Sequence, residues 1–128
     1  MNPRWIVLLA HGSKDARWRQ PFEQLRDRIT QRLSGADGHR VGLAYLQFCE
    51  PTLDQVLLEC RQSGGEEALV IPLFMSGGGH LLRDVPDAVR DAGRRSGVRV
   101  RSTGALAEEP NVQLAMVEAV LQLASDSE

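Results

Sequence analysis

The feature that most constrains this chain is an apolar run that ends in three consecutive glycines and a histidine. Residues 69–75 read Leu-Val-Ile-Pro-Leu-Phe-Met, and residues 76–80 read Ser-Gly-Gly-Gly-His. A short apolar run bounded by glycines is typical of a strand that is covered on both faces of a sheet. Glycine also permits positive φ and the close approach of another group to the backbone. We therefore predict a buried strand whose terminal turn delivers His80 to the edge of a sheet.

A second segment near the amino terminus repeats this pattern. Residues 4–10 form a predicted strand, and His11, Gly12 and Ser13 follow it. If the two strands are parallel neighbours, both imidazoles emerge at the carboxyl edge, where open α/β sheets bind their ligands. A lone histidine there usually caps a helix or bonds a carbonyl, but the repetition favours a functional role. His39 lies in a polar loop and is predicted to be solvated.

Length and charge narrow the class of protein. The 128 residues suffice for one domain with a single core, and we expect residues 1–128 to form it. The net charge is −2, from 15 basic and 17 acidic residues, and no basic stripe points to nucleic acid. No apolar run is long enough for a membrane span, and the first is too short for a signal peptide. We therefore expect neither nucleic acid nor a membrane as a partner.

The two cysteines, Cys49 and Cys60, are too far apart in sequence to form a CxxC pair. Cys60 falls on the apolar face of a predicted helix, and we interpret it as a small core residue. This cysteine usage fits a reducing, cytoplasmic environment. Cys49 lies nearer the predicted site edge, so a reactive or metal-contacting role stays open for it.

Strands alternate with helices along the chain, which predicts an α/β fold with a parallel sheet and helices on both faces. Strands are predicted at residues 4–10, 41–48, 68–74 and 98–101, each followed by a helix. Because crossovers are right-handed, we predict a single-domain four-stranded parallel sheet in the order 2-1-3-4, one flavodoxin-like half. The fourth strand alternates apolar and polar residues, which is typical of a sheet edge.

The first and last helices carry different apolar patterns. The first has a stripe at spacings of three and four, formed by Trp18, Phe22, Leu25, Ile29 and Leu33. The last, from Pro110 to about Ala124, is apolar around most of its circumference. That is more apolar surface than one side of a small sheet needs, and a second copy of the chain would cover the remainder. We therefore expect a homodimer.

Two neutral imidazoles at one edge can bind a divalent transition metal such as Co²⁺, Fe²⁺, Ni²⁺ or Zn²⁺. Gln47 and Glu50, at the end of the second strand, are the nearest candidates for an oxygen ligand or a proton acceptor. The alternative reading of residues 77–79 is a phosphate-binding turn at a helix start. The chain has neither GxxxxGK[ST] nor GxGxxG, so nucleotide binding has little support, and it lacks the GxSxG elbow of serine hydrolases.

Taken together, several segments resemble the small CbiX-type sirohydrochlorin chelatases, which belong to the class II, ATP-independent tetrapyrrole chelatases. The resemblance spans nearly the whole chain in order and spacing, and the combination is more specific than any single piece. The segments are Ala10-His11-Gly12-Ser13, Glu50-Pro51-Thr52, residues 72–80, and Asp84-Val85-Pro86. The resemblance implies one CbiX-like, chelatase-like domain. Longer members look like two fused units, which again implies a homodimer here.

The resemblance also implies a function: ATP-independent insertion of Co²⁺ or Fe²⁺ into sirohydrochlorin, for cobalamin or siroheme synthesis. The metal is the substrate, Ni²⁺ stays open as a third choice, and no nucleotide is required. His11 and His80 would be the catalytic and metal-handling residues, with Glu50 and Gln47 as further candidate ligands. The tetrapyrrole would lie over Ser13, Ser76, Gly77, Gly78, Gly79 and Arg83.

Two alternatives stay open. Several members carry a glutamate where this chain has Gln47, and an amide can ligate weakly but cannot accept a proton. The chain could therefore be a non-catalytic metal or tetrapyrrole carrier on the same fold. Arg17 and Arg83 are candidates for binding substrate carboxylates, or they are simply exposed helix charges.

Overall fold

The computed structural model describes residues 4–33, 39–73 and 80–126 of the chain, without the side chains of 80–84. Four strands alternate with four helices, and a short 3-10 turn, Leu106–Glu108, precedes the last helix. The strands are β1 (Trp5–Ala10), β2 (Arg40–Tyr45), β3 (Glu67–Pro72) and β4 (Arg99–Ser102). The helices are α1 (Ala16–Leu33), α2 (Leu53–Gln62), α3 (His80–Ser96) and α4 (Pro110–Asp126).

The four strands form one parallel sheet in the order β2-β1-β3-β4, so the predicted fold class and strand order are confirmed. β1 lies between β2 and β3, and Leu9 pairs with Ala44 on one side and Pro72 on the other. The amide of Leu73 continues the ladder by donating to the carbonyl of Leu9 at 2.9 Å. The carboxyl ends of β1 and β3 therefore lie side by side, as the paired histidine segments predict.

Each face of the sheet is packed by different helices. On one face, alternate residues of the strands pack against α2 and α3, and Leu9, Leu57 and Val70 are fully buried there. On the other face, Leu8 and Leu43 pack with Phe22 and Ile29 of α1. Burial of apolar side chains on both faces of β1 stabilises the sheet, because apolar area removed from water contributes about 25 cal/mol per Å².

β4 occupies the sheet edge that its alternating pattern predicts. Val100 packs into the core with α3, so Arg99 and Arg101 project from the opposite face. Arg99 forms an exposed ion pair with Glu67 of β3, with 2.8 Å between guanidinium nitrogen and carboxylate oxygen.

Two local expectations are wrong. β2 ends at Tyr45 rather than at residue 48, and Phe48 takes a positive φ of 71°, which is outside the range of strand residues. Trp18 does not join the buried stripe of α1 but is 70% exposed. Pro51 precedes α2, since Thr52 caps the helix, which begins at Leu53.

α4 differs from the other helices because it has little contact with the sheet. Its main packing partner among the described elements is the 3-10 turn that precedes it. None of its residues is buried. In the described part of the chain, no helix has the length and apolar character needed to cross a membrane.

Candidate functional site

The candidate site begins where β1 ends. His11 follows Ala10 directly and its side chain is exposed at the carboxyl edge of the sheet. The ladder continues past the strand ends, because Leu46 donates its amide to the carbonyl of Ala10 at 2.9 Å and Gln47 donates to that of His11 at 3.1 Å. The loop after β2 is therefore held against the loop after β1.

Gly12 allows this close approach. Its φ is +99°, a conformation that side chains disfavour, and a Cβ at this position would overlap the carbonyl oxygen of Gln47. Glycine next to the histidine is thus a geometric requirement of the contact between the two loops. The contact places the backbone of Gln47 beside that of His11.

A set of hydrogen bonds holds the turn that connects His11 to α1. The Ser13 hydroxyl accepts from the amide of Asp15 at 3.1 Å, and Asp15 caps α1 by accepting from the amide of Arg17 at 2.9 Å. Arg19 reaches back and donates to the Ser13 carbonyl at 2.9 Å. Ser13 therefore has a structural role in this turn.

Arg17 has a partner of its own. Its guanidinium forms a 2.7 Å ion pair with Asp15, and this hydrogen-bonded pairing lowers the pKa of the Asp15 carboxyl. Because both groups face solvent, the pair contributes little to stability. Of the two alternatives for Arg17, this arrangement favours an exposed helix charge over a binder of substrate carboxylates, because its guanidinium is already paired with Asp15.

The loop after β2 carries the candidate oxygen ligands and one residue that the sequence analysis missed. Gln47 and Glu50 are both exposed in this loop. Between them Phe48 is 61% exposed, and the Lys14 ammonium lies 5.9 Å from the centre of its ring. No spacing rule points to Phe48, because its exposure follows from a loop conformation with positive φ and not from strand or helix periodicity.

The second half of the predicted site lies outside the described residues. Ser76, Gly77, Gly78 and Gly79 belong to an omitted segment, and the side chains of His80 and Arg83 are omitted too. Backbone geometry places the first turn of α3, which begins at His80, after a strand that pairs with β1. Within the described ranges, no three His, Cys, Asp or Glu side chains come together as a metal-binding set.

The two cysteines occupy different environments. Cys60 is fully buried in the core between the sheet and α2, as predicted, and this burial raises the pKa of its thiol. Cys49 is half-buried and packs against the smaller core cluster, which contains Leu8 and Tyr45. A thiol packed in this way is a poorer metal ligand than one that faces the edge.

Tyr45, the last residue of β2, lies just below the site. Its side chain is 3% exposed, and its hydroxyl has no hydrogen-bond partner among the described residues. Burial raises the pKa of the phenol, and the nearby charge of Glu23 raises it further. The buried side chain of Tyr45 therefore lies beneath Gly12, with its Cβ 3.3 Å from the position that a Cβ on Gly12 would take.

A family comparison decides what kind of chain carries this site. The model of the CbiX family matches residues 5–123. The chain belongs to the CbiX family. The family resemblance inferred from the histidine and glycine segments is thereby confirmed.

Relatives with curated names point the same way for the CbiX chain. A protein from Methanopyrus kandleri named sirohydrochlorin cobaltochelatase is 30% identical over 81 residues, 63% of this chain and 54% of its own length. The protein of the same name from Saccharolobus solfataricus is 28% identical over 81 residues, 63% of this chain and 59% of its own length. The chain thus matches little more than half the length of these relatives.

Solved structures show how far the CbiX fold extends along the chain. A protein from Marinobacter aquaeolei named for CbiX and cobalamin (vitamin B12) biosynthesis is 32% identical, with a TM-score of 0.84. The match covers 97% of this chain and 99% of that one. The sirohydrochlorin chelatase SirB from Bacillus subtilis, solved with cobalt, has a TM-score of 0.67 at 20% identity, covering 80% of this chain and 43% of SirB. The SirB match shows a shared fold.

Proposed function

We propose that this CbiX chain inserts a divalent metal into sirohydrochlorin without ATP. The observation that carries the proposal is the placement of exposed His11 at the carboxyl edge of β1, beside the strand that leads to His80. The names of the cobaltochelatase relatives support the substrate and the reaction. Open α/β sheets bind ligands at this edge, so fold and site agree.

The chemistry of metallation matches what two imidazoles can do. Inserting a divalent metal releases two pyrrole N–H protons while the metal exchanges its former ligands for four ring nitrogens. A neutral histidine can hold the incoming metal or accept a proton near pH 7. His11 and His80 are proposed for these two tasks. Glu50 is the candidate carboxylate, since Gln47 can offer only an amide oxygen.

The macrocycle is proposed to lie across the two adjoining loops. Its flat apolar surface would rest on the exposed ring of Phe48, and one of its carboxylates would pair with Lys14 next to that ring. Arg83 is proposed for a second carboxylate. The serines and glycines at 13 and 76–79 would line the floor of the same site.

The choice of metal follows from the chemistry and the relatives' names. Co²⁺ is proposed first because the curated relatives are named cobaltochelatases, with Fe²⁺ and Ni²⁺ as alternatives that imidazole also binds. Cobalt would place the chain in cobalamin synthesis and iron in siroheme synthesis. A cytoplasmic location and a homodimer complete the proposal, the first supported by two unpaired cysteines.

The test is the absorption spectrum of sirohydrochlorin with catalytic protein and, in turn, Co²⁺, Fe²⁺ and Ni²⁺, against metal-only controls. The wild-type chain should accelerate insertion over multiple turnovers with at least one metal. His11→Ala should lose at least about tenfold in rate, the lower end of what acid–base and ligand groups supply. His39→Ala is the matched control because His39 lies at the opposite end of the sheet, next to Arg40.

The same experiment separates the enzyme from the carrier. Stoichiometric binding of metal or macrocycle with no rate increase would identify a carrier. The first variant to test would then be Gln47→Glu, which restores the glutamate that several family members carry at this position. An unchanged spectrum with every metal would overturn the proposed substrate.

A further inference from the structure

Exposed aromatic surface is concentrated near the carboxyl edge of the sheet. Among the described residues outside α4, three large apolar side chains are at least half exposed: Trp18, Phe48 and Leu58. Trp18 is the largest of them and the most exposed, at 70%. It lies in the first turn of α1, which follows β1, and Phe48 lies in the loop that follows β2. Two separate segments at this edge therefore each present an aromatic ring to solvent.

The position of Trp18 along α1, and not its side of the helix, leaves the indole exposed. Phe22 and Ile29, four and eleven residues further on, lie on the same face of the helix and pack against Leu8 of the sheet. The helix has 18 residues and is about 27 Å long, whereas the six residues of β1 span about 20 Å. α1 is thus longer than the strand on which it packs.

The excess length of α1 lies at the carboxyl edge. The helix runs antiparallel to the strands, because it connects two parallel neighbours. Burial raises the pKa of the Tyr45 phenol most, but the charges of Glu23 and Arg19 also act on it, the first raising and the second lowering it. The second turn of the helix is therefore level with the last residue of β2. Trp18 lies before that turn, so it overhangs the edge that carries His11.

Hydrogen bonds fix this first turn against the loop that carries His11. The amide of Trp18 donates to the carbonyl of Asp15 at 3.1 Å. The guanidinium of Arg19 donates to the carbonyl of Ser13 at 2.9 Å. The backbone on both sides of the indole is thus held in place while the ring stays open to solvent. A ring that is already positioned costs less to order when a ligand binds.

Charges near the indole suit an anionic ligand. Lys14 lies four residues before Trp18, and its ammonium is 5.9 Å from the centre of the Phe48 ring. The single carboxylate of this segment, Asp15, is paired with Arg17 and so does not offset the charge of Lys14. A tetrapyrrole combines a flat conjugated ring with carboxylates on its rim. The aromatic rings offer packing surface for the first, and Lys14 offers a partner for the second.

We propose that Trp18 is a second aromatic contact for the tetrapyrrole, packing against the macrocycle on the α1 side of the site while Phe48 packs against it on the β2 side. The inference rests on the proposed function, since it takes the macrocycle as the ligand. The indole N–H only donates, so Trp18 neither binds the metal nor accepts a pyrrole proton. Its contribution is to macrocycle binding, and it leaves the insertion step to other residues.

Fluorine NMR of 5-fluorotryptophan-labelled protein tests the contact directly. The chain has two tryptophans, and Trp5 is 4% exposed at the start of β1, about 17 Å along the strand from its last residue. Trp18→Phe assigns the two resonances. Saturating metal-free sirohydrochlorin should shift the Trp18 resonance strongly and the Trp5 resonance little, because the ring-current field of a conjugated macrocycle falls steeply with distance.

Affinity measurements test the energetic role of the ring. Trp18→Ala should raise the Kd for metal-free sirohydrochlorin, followed by its absorbance, about twofold to tenfold, as loss of a stacked aromatic does. Trp18→Phe should retain most of the affinity. The kcat at saturating macrocycle should stay near that of the wild type in both variants. Leu58→Ala is the matched control, because Leu58 is 50% exposed but lies within α2.

Each other outcome overturns the inference. A Trp18→Ala variant with wild-type Kd, or a Trp18 resonance that does not move when the macrocycle binds, shows that the indole makes no contact, and the proposed reaction still stands. A resonance that moves with protein concentration and not with macrocycle assigns Trp18 to a contact between copies. A wild-type chain that does not bind sirohydrochlorin is a separate result, because it overturns the proposed function as well.

Discussion

At the residue scale, the contact between Gly12 and Gln47 sets the shape of the candidate site. Gly12 and Gly64 have similar positive φ angles, +99° and +90°, but only Gly12 has backbone where a Cβ would lie. The pair therefore separates two effects of adding a methyl group: backbone strain, which both share, and overlap with a neighbouring loop, which only Gly12 has.

We expect Gly64→Ala to lower the free energy of unfolding by about 1–2 kcal/mol through backbone strain alone. Gly12→Ala should lower it by at least about 1 kcal/mol more, because the loop at Gln47 must move to relieve the overlap. Urea denaturation of both variants measures the difference. Equal losses would mean that the two loops separate easily.

Tyr45 provides a spectroscopic probe because it is the one tyrosine of the chain. Burial raises the pKa of its phenol above the reference of 10.0, so absorbance at alkaline pH should show a midpoint above 10 while the protein is folded. In denaturant the midpoint should return to about 10. The unfolded chain then loses its proton first as the pH rises, so the free energy of unfolding falls above about pH 10.

Tyr45→Phe should remove that part of the pH dependence. It should also leave the stability at pH 7 unchanged or raise it, because a buried hydroxyl without a partner costs about 1–3 kcal/mol. A marked loss of stability at pH 7 would show that the hydroxyl has a hydrogen-bond partner in solution.

Phe48 is expected to act on substrate binding. Phe48→Ala should raise the KM for sirohydrochlorin about twofold to tenfold with little change in kcat, since a stacked aromatic pair contributes about 0.5–1.5 kcal/mol. Phe48→Tyr, which keeps the ring, should retain the wild-type KM. Because the side chain is 61% exposed, its loss should leave the urea midpoint near that of the wild type. A matching fall in stability would assign the ring a structural role.

At the scale of elements, α2 shows how a local signal fixes the start of a helix. The Thr52 hydroxyl accepts from the amide of Gln55 at 3.2 Å, and the Gln55 side chain accepts from the amide of Thr52 at 2.7 Å. This reciprocal capping box satisfies two amides that have no partner within the helix. It begins α2 at Leu53, so that Leu53, Val56, Leu57 and Cys60 face the core.

Thr52→Ala should therefore lower the free energy of unfolding by about 1 kcal/mol, as loss of an N-cap usually does. Thr52→Ser should retain most of that stability because it keeps the accepting oxygen. Urea denaturation of the two variants makes the comparison. A loss with Ser as large as that with Ala would point to the methyl group, and not the cap, as the stabilising part.

At the scale of the whole molecule, α4 exposes a large apolar surface, because Leu114, Val117, Val120 and Leu121 are each more than half exposed. If a second copy covers it, folding is linked to association, and the thermal midpoint of the wild-type chain should rise with protein concentration. Val117→Asp combined with Leu121→Asp should abolish that dependence. Leu58→Asp, at an exposed leucine on α2, should keep it. A midpoint that is independent of concentration in all three proteins would favour a monomer.

Most of the fold was predictable from the sequence because its signals are local. Strand and helix periods are properties of a few neighbouring residues, and β1, β3 and α2 show them clearly. The right-handed rule for crossovers then limits the order of strands, so the shared edge of β1 and β3 followed from the pattern. The same reasoning placed His11 at that edge.

The sequence by itself therefore determined the α/β class, the strand order and the sheet edge that carries His11. The tertiary structure alone decided the positive φ of Phe48, the contact of Gly12 with Gln47, and the position of α4 away from its own sheet. These features depend on contacts between residues far apart in the chain, which no local period encodes.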